Sequence, residues 1–243
     1  MGTPAAATPW SPATTGLALP LRLAWVLARE DGRPPAELGG PGPLLLGAAV
    51  LALVRSGALE RRDGRLLPGP AAPADPFDAW VRDALPDGAD ETGQLEGLAA
   101  HAAGRAGRRA TEALAAAGLL APEPRRVLGL PLGRHLRVRD VAALRHDRAL
   151  VRAVLEGEET HDVAMAALVA YLHHGGLVAH LEPRDLRAAE TRAARIAGDA
   201  RDGAPPPVGP VADAVRATVE AMHVVLVPVG AIQVVTTTAH ERR

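Results

Sequence analysis

The chain has 243 residues and a formal net charge of −1, and 48% of its residues are hydrophobic, enough to fill a folded core in one domain or two. Cysteine is absent, which excludes disulfides and thiolate chemistry, and lysine is absent too, so all 27 basic residues are arginine. Aromatic residues make up only 2%, so Ala, Leu and Val must pack the interior. Together with the load of Ala, Gly and Pro, the missing lysine looks like GC-rich coding rather than selection for phosphate contacts.

Residues 1–15 are rich in Pro, Ala and Thr without a charged start, so they read as a disordered tail and not as a signal peptide. The segment 17–28 has Leu17, Leu21, Ala24 and Leu27 on one side and predicts a buried helix ended by Glu30-Asp31-Gly32. After a Pro/Gly-rich loop at 33–43, residues 44–55 are apolar nearly all round, the pattern of a central helix. A ribbon around Asp63-Gly64 is expected over 59–67, and a short helix with Phe77 and Trp80 over 75–85, followed by a loop at 86–91.

Residues 95–117 carry Leu95, Leu98, Ala102, Ala106, Ala110 and Leu114 as an apolar stripe, with His101, Arg105, Arg108, Arg109 and Glu112 on the other face. A second hairpin is expected within 125–139, around Gly133, with Leu130, Pro131 and Leu132 near its tip. An amphipathic helix over 138–155 places Arg145, Arg148 and Arg152 in line. An apolar helix over 162–174, with Thr160 as its candidate cap, precedes an Ala/Arg-rich helix at 183–200. A Pro-rich linker and a last helix at 211–225 follow. Residues 16–226 form one helical domain in this reading, and 227–243 a C-terminal tail.

One phrase recurs three times. Apolar runs stop at Ser56-Gly57-Ala58-Leu59, Ala117-Gly118-Leu119 and Gly175-Gly176-Leu177. Glycine suits a helix stop because it takes positive φ without steric cost. The fold class is therefore mainly α: a helical bundle with surrounding amphipathic helices and one or two short β-hairpins.

Charge is unevenly spread. Between residues 105 and 152 there are 11 arginines against Glu112, Glu123, Asp140 and Asp147, while the remainder is net acidic. Either one face meets an anionic partner, or these arginines pair with acids elsewhere in the fold. His173 and His174 with His161, Glu158, Glu159 and Asp162 lack metal-ligand spacing, and the two adjacent histidines suit a helix C-terminus. No metal and no cofactor is expected. Serine occurs only at Ser11 and Ser56, and no nucleophile elbow, phosphate loop or dinucleotide fingerprint is present. Winged-helix DNA binders also alternate helices and hairpins, but the helix before the second hairpin ends in alanines that cannot read bases, so nucleic acid is not expected as a partner. No segment reaches the roughly 20 apolar residues of a membrane span. A cytoplasmic location is expected, with any contact at the inner face of a membrane peripheral.

The order of these features resembles the Golgi phosphoprotein 3 family in its bacterial, actinobacterial-type form. The resemblance runs from the Glu30-Asp31-Gly32 turn through Ser56-Gly57-Ala58-Leu59-Glu60 and Asp63-Gly64-Arg65 to Ala117-Gly118-Leu119-Leu120, Arg125-Arg126-Val127 and residues 168–177. It implies a non-enzymatic protein that binds phosphatidylinositol phosphate or another anionic phospholipid, or acts as an adaptor for a protein partner. It also implies a hairpin for membrane contact or homo-oligomer formation, here Leu130, Pro131 and Leu132 with Arg126, Arg134, Arg137 and Arg139. Eukaryotic relatives grip the headgroup with a Trp before the second apolar helix and an Arg within it. Ungapped counting from Gly57 places Glu37 and Leu46 there, so that part of the site is lost. Arg105, Arg108 and Arg109 are the residues expected to hold an anionic headgroup. The alternative is the same scaffold repurposed as an enzyme or small-molecule-binding protein in specialised metabolism, with Glu37, His101, Arg105, Arg109, His173 and His174 as candidate polar groups.

Overall fold

A computed structural model of the chain describes residues 10–30, 41–87, 90–127, 130–160, 162–198 and 215–220, with backbone alone over 124–127 and 130–135. The elements run α1 (Leu19–Leu27), α2 (Gly42–Ser56), β1 (Leu59–Arg62), β2 (Arg65–Pro68), α3 (Pro76–Asp83), α4 (Glu91–Ala116), β3 (Leu120–Val127), β4 (Leu130–Val138), α5 (Val141–Glu156), α6 (Val163–His174), a 3₁₀ turn (Val178–Leu181) and α7 (Leu186–Ile196). Residues 215–220 are also helical. The protein is mainly α, with two antiparallel hairpins, β1–β2 and β3–β4.

Helix α2 is the central element. It packs against α1, α3 and α4, and Leu45, Leu46, Ala48, Ala49, Val50 and Leu53 are all buried. Its apolar residues occupy every face because every face meets protein. Gly42 makes the crossing with α4 possible: a Cβ at this position would overlap the Ala103 carbonyl. Helix α4 buries the expected stripe Leu95, Leu98, Ala102, Ala106, Ala110 and Leu114. It begins at Glu91, four residues ahead of the expected 95, because the Asp90 carboxylate accepts the Gly93 N–H and starts the helix there. Gln94 is buried and bonds both the N–H and the carbonyl of Leu66, which ties β2 to the first turn of α4.

The repeated glycine phrase has one geometric cause. Gly57, Gly118 and Gly176 have φ of 76°, 78° and 64°. In each case the next N–H reaches back to the final helical turn: Ala58 to the Leu53 carbonyl, Leu119 to Leu114, and Leu177 to Leu172. These are Schellman stops, and the leucines beyond them, Leu59, Leu119 and Leu177, are buried. In the third copy the left-handed residue is Gly176, since Gly175 stays in the helical region at φ −82°.

Several expectations are corrected. The second hairpin starts at Leu120 and pairs Val127 with Leu130, so the chain reverses between those residues and not at Gly133, which lies within β4. Leu130 and Pro131 stand at the first two pairs beside the reversal. The first strand begins earlier than expected because the Gly118 stop leads directly into it. Asp162, not Thr160, caps α6: its carboxylate accepts the Ala164 N–H, while the Thr160 hydroxyl accepts the Asp162 N–H. Helix α1 ends at Leu27, ahead of Glu30; Asp31 and Gly32 lie outside the described residues. Helix α7 is shorter than expected, starting after the Asp185 cap.

The expected tail over 1–15 does not hold at its end. Ser11 and Thr14 are buried against α5. The Asp147 carboxylate accepts the Ser11 N–H at 2.8 Å, the Ser11 hydroxyl at 2.9 Å, the Thr14 hydroxyl at 2.7 Å and the Trp25 indole N–H at 3.0 Å. Arg22 stacks over the Trp10 ring at 4.9 Å. A fully buried carboxylate with four donors is a paired group, and it pins the leading segment to α1 and α5.

Candidate functional site

The basic stretch between residues 105 and 152 divides into two parts that do different things. On α5 the aligned arginines are structural. Arg148 donates from Nε to the Val26 carbonyl at 2.9 Å and from Nη2 to the Ala28 carbonyl at 2.8 Å. These carbonyls close α1, so the guanidinium caps a helix end that lacks a glycine stop. Burial lowers the Arg148 pKa, against the opposing charges of Glu182 and Glu30. Arg152 donates to the Leu181 carbonyl at 2.8 Å, and Arg145 pairs with Glu30 at 2.7 Å. Arg148 and Arg152 thus bond backbone carbonyls within the fold, while Arg145 pairs with Glu30 with 68% of its side chain exposed. The Arg148 guanidinium fork satisfies carbonyls across the α1–α5 seam.

On α4 the arginines point outward. Arg105, Arg108 and Arg109 are exposed, on the face opposite the buried alanines. Arg105 donates to the His101 carbonyl one turn earlier, at 3.1 Å. Arg108 and Arg109 share the carboxylate of Glu112 at 3.8 and 3.7 Å, with 68% and 49% of their side chains exposed. Three guanidiniums with one carboxylate leave the row net positive. Arg109 also lies 5.8 Å from the ring centre of Trp80 on α3, so a partly exposed aromatic borders the row.

The remaining candidates are scattered. Leu46 is fully buried in α2 and cannot meet a ligand. Glu37 and His161 lie outside the described residues. The side chains of Arg126, Leu130, Pro131, Leu132 and Arg134 also lie outside the description. On β4, Arg137 is exposed and pairs with Glu123 across the hairpin at 3.3 Å. His173 and His174 stand in the last turn of α6 with ring centres 5.3 Å apart. Among the described residues no group of three His, Asp or Glu side chains is placed to hold a metal. Nor is any described helix long and apolar enough to cross a membrane.

Among the described residues, a groove and a cavity that lie elsewhere are lined by none of His101, Arg105, Arg109, His173 and His174. An open groove of about 650 Å³ runs between the end of α5 and α7, with Arg184, Arg187 and Arg195 against Glu156 and Asp185. A second cavity of about 300 Å³ sits between the start of α1, the last turns of α2, α3 and α6. Its wall holds Asp78, which is only 2% exposed and has an Oδ1 without a hydrogen-bond partner. Burial, reinforced by nearby Asp75, raises the Asp78 pKa to about 7. Sequence reasoning did not single out this residue. Asp78 falls in the first turn of α3, where an acid is ordinarily a surface residue that favours the helix dipole. Nothing in the local pattern reveals that α2 and α6 cover it.

A family model described as Golgi phosphoprotein 3 (GPP34) matches residues 26–222, from the last two residues of α1 through the helical residues 215–220. No curated protein shows a significant match to the chain. With the family model covering most of the 243 residues and the helical fold with two hairpins in place, the chain belongs to the Golgi phosphoprotein 3 (GPP34) family.

Proposed function

We propose that this protein associates peripherally with anionic phospholipid surfaces through α4, with Arg105, Arg108 and Arg109 as the contacting residues. The supporting observation is the outward row of three guanidiniums beside Trp80, of which Arg108 and Arg109 share the one carboxylate of Glu112. Arginine forks bind phosphate oxygens bidentately, and Trp suits the bilayer interface. Each basic residue near an anionic surface contributes about 1 kcal/mol, so a row with a surplus of two charges supplies about 2 kcal/mol. That is weak alone, and a second contact must add to it, through the β3–β4 hairpin as a membrane or homo-oligomer contact, or through a protein partner. Family membership supports the general role. Selective phosphoinositide recognition has less support, because Leu46 is buried where eukaryotic relatives place an arginine. The composition, with arginine replacing lysine throughout, fits a bacterial, actinobacterial-type member acting at the cytoplasmic face of the membrane.

Co-sedimentation with liposomes of graded anionic content tests this reading. Binding should rise with negative charge and fall between low and physiological salt, since surface charge is screened within about 8–10 Å. Replacing Arg105, Arg108 and Arg109 with Ala should reduce binding about tenfold or more while leaving thermal unfolding unchanged. Equal binding to neutral and anionic vesicles at low salt would overturn the proposal.

A further inference from the structure

The groove between the end of α5 and α7 lies on different elements from the α4 row, and its walls are fixed by hydrogen bonds. Leu155 and Ala189, each 1% exposed, give it an apolar floor. Arg192 is held by two carbonyls, donating from Nε to Val154 at 2.6 Å and from Nη2 to Glu158 at 2.7 Å. Glu156 accepts the Arg184 N–H at 2.9 Å and pairs with the Arg184 guanidinium at 3.7 Å. Asp185 accepts the Ala188 N–H as the cap of α7. Both acids in the lining are therefore already engaged. Arg187 and Arg195 are exposed, and among the described residues neither has a hydrogen bond or an ion pair. Four guanidiniums against two carboxylates leave the groove net positive.

We infer that this groove binds an acidic segment of a protein partner, with Arg187 and Arg195 each meeting one of its carboxylates. A guanidinium donates in a planar fork that a carboxylate accepts with both oxygens. Arg187, Thr191 and Arg195 follow one another at four-residue steps along α7, so they share one face, and all three line the groove. The two free arginines are therefore about 12 Å apart along the helix axis. An extended strand rises about 3.3 Å per residue, so acids about four positions apart match that spacing. The groove is open and its charges are spread along it, which suits a segment with distributed acids better than a single small anion. The Thr191 hydroxyl donates to the Arg187 carbonyl at 2.9 Å, so recognition falls to the guanidiniums. Leu186, the one large apolar side chain exposed among the described residues, precedes Arg187 and offers a contact that a peptide side chain can cover and a free anion cannot.

Fluorescence anisotropy at low salt tests the assignment on the full chain, with a short labelled peptide whose two glutamates stand about four positions apart. Its counterpart carries glutamine in place of both. The diglutamate peptide should bind about fivefold more tightly or better, and the difference should shrink as salt rises. Arg187→Ala combined with Arg195→Ala should remove that preference while leaving glutamine-peptide binding, thermal unfolding and anionic vesicle binding unchanged. Equal binding of the two peptides, no binding of either, or a preference that survives in the double variant would overturn the proposal. So would displacement of the label by tripolyphosphate at far lower concentration than by unlabelled diglutamate peptide, which would make the groove a small-anion site. Loss of vesicle binding in the double variant with peptide binding intact would make it a membrane contact instead, and would overturn the proposal too. The α4 row can fail to bind vesicles while the groove still binds peptide, so the two proposals stand or fall separately.

Discussion

The Asp147 carboxylate accepts the Trp25 indole N–H at 3.0 Å across 122 positions of sequence, and both side chains are fully buried. The same carboxylate accepts three further hydrogen bonds from Ser11 and Thr14. The contact joins the leading segment, α1 and α5 at one point. Asp147→Ala leaves four donors without their acceptor and should cost about 3 kcal/mol or more, measured by denaturant unfolding. Deleting residues 1–15 should lower stability as well, and an unchanged midpoint would show that other groups or water satisfy Asp147.

The glycine stops separate two kinds of glycine. Gly118→Ala forces an L-residue to φ 78° and should destabilise by about 1 kcal/mol, as should substitutions at Gly57 and Gly176. Gly104→Ala lies within α4 in open space and should stabilise by about 0.5–1 kcal/mol. Opposite signs on one helix, read as shifts in thermal midpoint, check the assignment.

At the α2–α4 crossing the constraint is steric. Gly42→Ala places a methyl on the Ala103 carbonyl, and relieving the overlap requires the two helices to separate. Overpacking of this kind costs about 1–3 kcal/mol. Chemical denaturation of the variant should show the loss, and no loss would mean that the helices part without strain.

Asp78 makes stability depend on pH. Its folded pKa of about 7 stands above the ordinary value of 3.8. Below pH 4 both folded and unfolded chains hold the proton, and the penalty is absent. As pH rises toward 7 the unfolded chain ionises while the folded one resists, so stability falls across that window, by on the order of 4 kcal/mol at most. Asp78→Asn should remove this slope and be the more stable protein at pH 8. A wild-type curve parallel to that of D78N between pH 4 and 7 would contradict the assignment.

The two arginine groups should respond in opposite ways. Arg148→Ala uncaps the Val26 and Ala28 carbonyls and should lower stability by about 2 kcal/mol, with anionic vesicle binding preserved below the unfolding transition. The α4 triple variant should do the reverse. If Arg148→Ala abolished binding in the folded protein, the functional face would have to include α5.

Local pattern alone determined much of this protein. The stripe of α4 follows from 3.6-residue periodicity, the centrality of α2 from apolar residues on all sides, and the helix stops from glycines that alone take positive φ cheaply. The outward row Arg105, Arg108, Arg109 was legible for the same reason, as the face left over when the stripe is buried. Tertiary structure decided the rest. Arg148 and Arg152 share the spacing of a surface row, yet they cap carbonyls brought to them by α1 and the 3₁₀ turn. Ser11 and Thr14 look like tail residues until Asp147 collects them. Asp78 looks like a surface acid until α2 and α6 cover it. Periodicity tells which side of a helix is apolar, but the partner of a polar side chain depends on which distant element packs beside it, and that is a property of the assembled fold.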